Sequence, residues 1–445
     1  MEIKVSVILP SLNVADYISE CMDSVISQTL QEIEILCVDA CSTDGTFEIL
    51  QEYAQKDSRV KVINSEIKSY GKQVNEGILS ARGKYIAIVE TDDFITEGML
   101  KELYALAEEY SLDYVKADYD AFVELKNGGR VWQVRKTFSS DHDLYGKVVI
   151  PQLYTCIYLG DYNIWRGIYR KDFLDQHEIR LNETPGAAFQ DVGFLMQTLC
   201  LAHRAMYVED SYYRYRMYRN GASTYTNTVV QFLYQEYDRL LDGNIFPAQI
   251  DQKIWRNLYF KLALSFLVEY DKVLSFEQYQ SDSPYLSKYY EWFKGKIQKA
   301  MGEGVFSFED FNRYRRFDLQ LLLKSADSYA DYKYIKDFLE KEPLEQLLAK
   351  IHNNQVVIFG CGKYGKELCM DLHMHGIEVV AFYDNNKNLW GKEYGGIKIL
   401  NPQKQNNEEI MYLVASIRHA EEIKKQLEML GIDKKNIQGF NKELQ

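Results

Sequence analysis

The stretch Tyr85-Ile86-Ala87-Ile88-Val89-Glu90-Thr91-Asp92-Asp93 runs from apolar residues straight into three acids within four positions. A short unbroken apolar run followed by a polar turn reads as a strand buried on both faces. Acids packed this closely repel one another unless a cation sits between them. Hard carboxylate oxygens at a turn suit Mg²⁺ or Mn²⁺, and such an ion can bridge a diphosphate. The competing reading is a solvated acidic turn opening a helix, where Asp favours the N-terminal dipole.

Outward from that strand the pattern repeats. Residues 5–9 form an apolar strand, and 16–28 have helical spacing with Ile18, Cys21, Met22, Val25 and Ile26 on one face. A second strand over 34–38 ends at Asp39, and a helix over 46–55 follows, capped by Ser42, Thr43 or Asp44. A third strand is expected over 60–64, a helix over 72–81, and, after the quoted strand, a helix over 98–110. Strand–helix alternation predicts a parallel sheet with helices on both faces. Ligands of such sheets bind beyond the carboxyl ends of the strands, which is where Asp39 and the 90–93 acids fall.

The motifs in this region occur in a familiar order. Val5 to Asn13 contains Pro10-Ser11-Leu12-Asn13, and Val38-Asp39-Ala40-Cys41-Ser42-Thr43-Asp44-Gly45-Thr46 follows. Then come Asn75-Glu76-Gly77, Ala81-Arg82-Gly83-Lys84-Tyr85-Ile86 and the acidic cluster. This series resembles the family 2 glycosyltransferases of the GT-A fold. The resemblance implies that Pro10 and Asn13 begin the nucleotide pocket and that Asp39 ends the strand facing the base. Asp92 and Asp93 match the acids that hold ribose and the divalent metal, Mn²⁺ or Mg²⁺. Asp191, in Phe189-Gln190-Asp191-Val192-Gly193-Phe194, matches the family's general base. Tyr212-Tyr213-Arg214-Tyr215-Arg216 with Ser223-Thr224 matches a later segment, whose Arg214 or Arg216 suits a phosphate. Asn163 and Trp165 fall in the segment expected beneath the acceptor, where an indole can stack on a sugar face; core packing is the commoner fate of a Trp.

Three positions depart from the family pattern. Ala40 stands where a second Asp often reads the base, and Glu90 replaces the first acid of the metal motif. Val74 stands where many members have Arg before Asn75, and Lys72 or Gln73 is the substitute within reach. The implied chemistry is inverting transfer of a hexose from a UDP-sugar to a hydroxyl of a glycan, lipid-linked or protein-linked acceptor. Asp191 takes the proton, and a divalent ion with an Arg stabilises the leaving diphosphate. The departures keep a second reading open, a non-catalytic sugar-nucleotide-binding scaffold. A sugar-nucleotide pyrophosphorylase is disfavoured, because residues 9–13 are not a glycine-rich, Arg-containing turn.

Further on, 229–345 lose the alternation and read as helical. Tyr285, Tyr289, Tyr290, Trp292 and Phe293 interleave there with Lys288, Lys294, Lys296 and Lys299. Basic aromatic helices of this kind can lie on an anionic membrane, though solvated faces over an aromatic core are the favoured reading. Residues 346–445 return to α/β. Gly360-Cys361-Gly362-Lys363-Tyr364-Gly365 follows an apolar strand, and Asp384 ends the next. That spacing is the dinucleotide-fold fingerprint. Gly360, Gly362, Gly365 and Asp384 are thus a second candidate nucleotide site in a small Rossmann-like domain, the alternative being a module for packing or homodimerisation.

The segments expected are a GT-A domain over 1–228, a helical connector over 229–345 and a Rossmann-like domain over 346–445. The chain has 445 residues, a net charge of −13 and a hydrophobic fraction of 46%. That composition supports packed cores. It argues against nucleic-acid partners, which need a basic footprint. No leader, membrane span or cysteine framework is evident, so a reducing cytoplasm is the expected setting, at the inner face of a membrane if the acceptor is lipid-linked.

Overall fold

The computed structural model describes all residues except 1, 126–127, 139–140, 218–228, 244, 247–249, 352–354, 404–409, 417–418 and 440–445. Ser223 and Thr224, and the polar stretch 352–354 expected to end the helical segment, lie outside the described residues. The chain divides into two compact units, Met1–Ala121 with Val134–Asp331, and Phe122–Gln133 with Tyr332–Gln445. Most of the helical segment therefore groups with the N-terminal residues.

In chain order the elements begin β1 (Val5–Ser11), α1 (Ile18–Ile26), β2 (Ile33–Asp39), α2 (Thr46–Lys56), β3 (Val60–Asn64), α3 (Tyr70–Ser80) and β4 (Tyr85–Ile88). They continue β5 (Phe94–Ile95), α4 (Met99–Glu109), β6 (Tyr114–Glu124), β7 (Arg130–Arg135), α5 (Thr155–Gly160), β8 (Gly167–Arg170), α6 (Lys171–Gln176), α7 (Gln190–Leu201) and β9 (Ala205–Arg216). The sheet order is β3-β2-β1-β4-β8-β6-β9-β5, with β7 on β6. Strands β1 to β4 pair in parallel as expected. Beyond β4 the pairing is antiparallel, β8 with both β4 and β6, and β5 with β9. The sheet is thus mixed. The expected helix over 98–110 forms as α4, but the strand laid against β4 is the later β8, which runs antiparallel to it.

Every residue of β1 and β2 is buried, which explains their nearly unbroken apolar sequences. Glu34 is the exception that must be neutralised. It is 2% exposed and accepts from Ser6 Oγ at 2.7 Å, the Arg82 backbone at 2.7 Å and the Arg82 guanidinium, with Lys61 at 3.1 Å. Helix α1 turns Ile18, Cys21, Met22 and Val25 inward. Each such side chain contributes about 1.5–3 kcal/mol by leaving water. Helix α3 starts two residues before its expected bound, because Ser69 caps it by accepting from Lys72 N at 3.2 Å.

Helices α8 (Val229–Asp242), α9 (Gln252–Phe276), α10 (Pro284–Gly302), α11 (Arg313–Lys324) and α12 (Ala326–Lys350) follow. Tyr289, Tyr290 and Phe293 are buried, and Phe266 stacks on Phe293 at 3.9 Å. Lys296 pairs with Asp238 at 3.1 Å, and Lys288 lies over the Tyr289 ring. The basic aromatic pattern is here a packed core with cations spent on neighbours. Among the described residues no helix is long and apolar enough to cross a membrane.

The second unit contains β10 (Gln355–Phe359), α13 (Lys363–Met374), β11 (Glu378–Tyr383), β12 (Glu393–Tyr394), β13 (Ile397–Leu400), β14 (Met411–Val414), α14 (Ala420–Met429) and β15 (Ile437–Gly439). Its sheet runs β12-β13-β11-β10-β14-β15, parallel throughout except for the β12 edge.

Candidate active site

The carboxyl ends of β1, β2 and β4 form one rim. Asp39 closes β2, fully buried, and its two oxygens accept from the Ser42 backbone at 2.9 Å and the Ser42 hydroxyl at 2.6 Å. Asn13 leaves β1 in the left-handed region, φ 52°. Its side chain accepts from Thr43 N at 2.9 Å and its backbone donates to Ser42 Oγ at 2.9 Å. The turn 41–45 is thereby sewn to both strand ends. The Pro10 carbonyl accepts from Thr91 Oγ1 at 2.9 Å, tying β1 to the acidic turn. Gln73 reaches from α3 to the carbonyls of Ser11 and Val38, at 2.8 and 2.7 Å, and braces the same rim. Ala40 is fully buried at the turn.

Asp93 is 1% exposed. Its oxygens accept from Arg216 N at 2.7 Å and from the Tyr213 hydroxyl at 2.9 Å. Burial, and then the charge of Asp92, hold its carboxyl well above the usual range; the two hydrogen bonds pull the other way and Glu90 adds to the rise. Asp92 is half-buried beside it. Each Asp93 oxygen accepts one hydrogen bond, and a carboxylate oxygen has two lone pairs, so capacity for a cation remains. Crowded carboxylates of this kind fit a hard divalent ion, which relieves their repulsion. Among the described residues no group of three or more His, Cys, Asp or Glu side chains that could hold a metal is found.

Glu90 accepts from the Tyr70 hydroxyl at 2.5 Å. Its extra methylene, relative to Asp, is what spans to α3. Tyr70 also feels Asp191. Its own phenol is pushed up by burial, then by the charges of Glu90 and Asp191. Asp191 stands in the first turn of α7 behind Phe189, whose φ is 65°. Gln190 pins the approaching loop by donating to Thr184 and Gly186 oxygens near 3.0 Å. The Asp191 carboxyl is pushed up to about 6 by burial, offset in part by the Val192 backbone N–H. Tyr70 carries no motif in the sequence, and the α3 register brings it here; Gln73, named with Lys72 as a substitute for the missing Arg, braces the strand ends through its amide.

Other expected residues are held in place by the protein. Lys72 pairs with Glu76 and Glu183 at 3.4 and 3.6 Å. Asn75 exchanges hydrogen bonds with the Leu181 backbone, 2.9 and 3.0 Å. Arg214 pairs with Asp120 at 2.9 Å, and Arg216 with Glu20 at 2.6 Å while donating to the Asp92 carbonyl. Trp165 is 6% exposed, stacked on Tyr213 at 4.1 Å and Tyr215 at 5.3 Å, so it lies in the domain core. Asn163 lines a cavity of about 400 Å³.

In the second unit Gly360 has φ 105°, and a Cβ on Gly365 would stand 1.8 Å from the Gly360 carbonyl oxygen. A Cβ on Gly362 would meet nothing. Asp384 folds back, accepting from Cys361 N at 2.9 Å and Asn386 N at 2.8 Å. The glycine turn and Asp384 are therefore brought together as the spacing implies, with the carboxylate bonded to the turn itself.

Residues 6–159 match the model of the glycosyl transferase family 2, and residues 352–438 match a model described as C2185-like, N-terminal. The chain is 30% identical to the uncharacterized glycosyltransferase EpsJ of Bacillus subtilis, over 48% of this chain and 60% of that one. It is 28% identical to glycosyltransferase GlyG of Streptococcus pneumoniae, over 49% of this chain and 72% of that one. The match thus spans less than two thirds of the Bacillus relative. The crystal structure of residues 1–349 of Staphylococcus aureus TarS with UDP-GlcNAc aligns with a TM-score of 0.55 at 23% identity. That alignment covers 77% of this chain and 92% of the TarS chain, and it shares the GT-A fold.

Proposed function

We propose that this chain, whose residues 6–159 match the glycosyl transferase family 2 model, is an inverting hexosyltransferase that uses a UDP-sugar and a divalent metal. The observation that carries the proposal is one juxtaposition. Tyr70 bonds Glu90 of the acidic turn and lies within electrostatic reach of Asp191. This proximity of both groups to Tyr70 supports a reading in which donor-side acids and a separate carboxyl base serve one reaction. The hexose is glucose, galactose or an N-acetyl derivative. The acceptor is a hydroxyl on a glycan, lipid-linked or protein-linked, in surface-glycan synthesis, with the reaction in the cytoplasm or at the inner membrane face.

In this reading the 10–13 and 39–45 turns bind the nucleotide. Asp191 accepts the proton of the acceptor hydroxyl as its oxygen attacks the anomeric carbon and the bond to UDP breaks. A base whose carboxyl sits near neutrality suits that transfer. One displacement inverts the anomeric centre. Asp92 and Asp93 would hold Mn²⁺ or Mg²⁺, and the chemistry that such an ion supplies when bound is charge stabilisation on the departing diphosphate. Tyr213 and the Arg216 backbone fix Asp93, and Arg216 fixes Asp92 through its carbonyl.

Release of UDP from UDP-glucose, UDP-galactose and their N-acetyl forms, with Mn²⁺ and without acceptor, is the test. Turnover with one donor that D92A abolishes supports the proposal. A flat result across all donors, with UDP still bound, favours the non-catalytic scaffold that Ala40, Glu90 and Val74 keep open. For the C-terminal unit we infer a Rossmann-like module, supported by its strand order and glycine turn. Its role in packing or homodimerisation is favoured by the way Asp384 is bonded to the turn.

A further inference from the structure

The cavity beside Asn163 lies wholly within the first unit. Tyr119, Phe138 and Tyr162 give it apolar ring walls, and Arg135, Asn163 and Arg166 give it polar ones. A chain of contacts joins it to the acidic turn. Tyr119 meets Trp165 edge-on at 4.9 Å, Trp165 stacks on Tyr213, and Tyr213 bonds Asp93. Lys261 of α9 holds its ammonium 3.9 Å from the centre of the Tyr162 ring and donates to the carbonyls of Tyr158 and Asp161. This wall is thereby fixed.

Two cations in the cavity are under-used. Arg166 is 1% exposed, and its terminal nitrogens go to the Ala117 carbonyl, Thr137 and Asp161, with Asp118 a second ion-pair partner at 3.9 Å. Its Nε has no partner, and a buried bare N–H is costly. Arg135 is half-buried and has no hydrogen-bond or ion-pair partner among the described residues. Both guanidinium charges act on the Tyr119 phenol. Of the remaining charged lining residues, Lys136 is already paired with Glu209, and Asp141 is the single acid. In a chain of net charge −13, an unmatched guanidinium in a ring-walled cavity is a local inversion of the field.

We propose that this cavity is the acceptor subsite and that it takes a polyol or sugar bearing a phosphate or carboxylate, with the anion on Arg135 and the Arg166 Nε–H. Guanidinium geometry suits both anions, and the aromatic walls suit the carbon faces of a polyol. This assignment rests on the transferase reading above.

The test is calorimetry on the full chain, in the presence of saturating UDP, with glycerol 3-phosphate, glucuronate and neutral glycerol as probes. Binding of either anion, at least tenfold tighter than glycerol, supports the proposal; which anion binds identifies the acceptor's charge. R135Q should weaken that binding at least tenfold and R135K should restore part of it. Binding of neither anion, equal binding of glycerol, or an unchanged affinity in a folded R135Q would overturn it. Titration of the wild-type chain with UDP separates the two readings. UDP binding without anion binding removes the acceptor subsite alone. Anion binding without UDP binding removes the transferase reading, and the acceptor role with it.

Discussion

The Tyr213 hydroxyl donates to Asp93 Oδ2 across 2.9 Å, although the two residues stand 120 positions apart. The same hydroxyl oxygen accepts from the Glu90 backbone at 3.0 Å, so one phenol spans both ends of the acidic turn. Y213F keeps the ring stacked on Trp165 and removes only these bonds. It should cost about 1–2 kcal/mol in urea denaturation and slow UDP release from the donor by about tenfold, the rate equivalent of that energy. A variant as stable and as active as the parent would show that the phenol does not order Asp93.

Asp191 has its carboxyl raised from 3.8 to about 6. Transfer needs the ionised form, so the rate should rise with pH through about 6, and D191N should lose most transfer. The stability sign runs opposite. The folded chain holds a proton there that the unfolded chain releases, so this group's contribution falls as pH rises from about 4 to about 6. D191N should lack that fall. Denaturation midpoints of both proteins at pH 4.5 and 7 check it, and parallel midpoints would place the raised carboxyl elsewhere.

Much of this is legible in the sequence. The buried strands 5–9, 34–38 and 85–89 are marked by nearly unbroken apolar runs, and Asp39 and the 90–93 acids at strand ends mark the rim. The antiparallel additions were not legible, because β8 and β5 are too short to show a period. Tyr70 is not legible for a different reason. It is not an unusual residue on a helix, and its significance comes from the register that turns it toward Glu90, just as the bracing of the β1 and β2 ends by Gln73 comes from that register. The protein partners of Trp165, Arg214 and Arg216 could not be read either, since Tyr213, Asp120 and Glu20 are distant in sequence. The grouping of 122–133 with the C-terminal residues has no sequence signal at all.

Glu34 gives a test of the core that is independent of chemistry. Burial alone would raise its carboxyl, yet hydrogen bonds from Arg82, Ser6 and Lys61 lower it to about 2. A depressed folded value means that stability is present above the unfolded value near 4.5 and is lost as pH falls towards 2. E34Q should destabilise the chain by about 3 kcal/mol at pH 7, since it leaves buried donors without an anion. The gap between the two proteins should narrow at pH 3.5. A pH-independent gap in urea midpoints would mean that Glu34 acts through packing and not through charge.

Gly83 sits where β4 is about to enter the sheet, and a Cβ there would lie 2.5 Å from the Ser6 backbone nitrogen and 2.7 Å from Ser6 Oγ. The Gly83 N–H donates to that same oxygen at 2.8 Å. Backbone cannot give way as a flexible side chain does, so G83A should push β4 from β1 and cost about 2–3 kcal/mol. Because the acidic turn hangs from β4, donor-dependent UDP release should fall as well. Gly98 supplies the control. It caps α4 with φ −88°, and a Cβ there would meet nothing within 4 Å. G98A should be neutral or stabilising by up to about 1 kcal/mol. Equal effects of the two substitutions on thermal midpoint would show that the close approach at Gly83 does not constrain the strand.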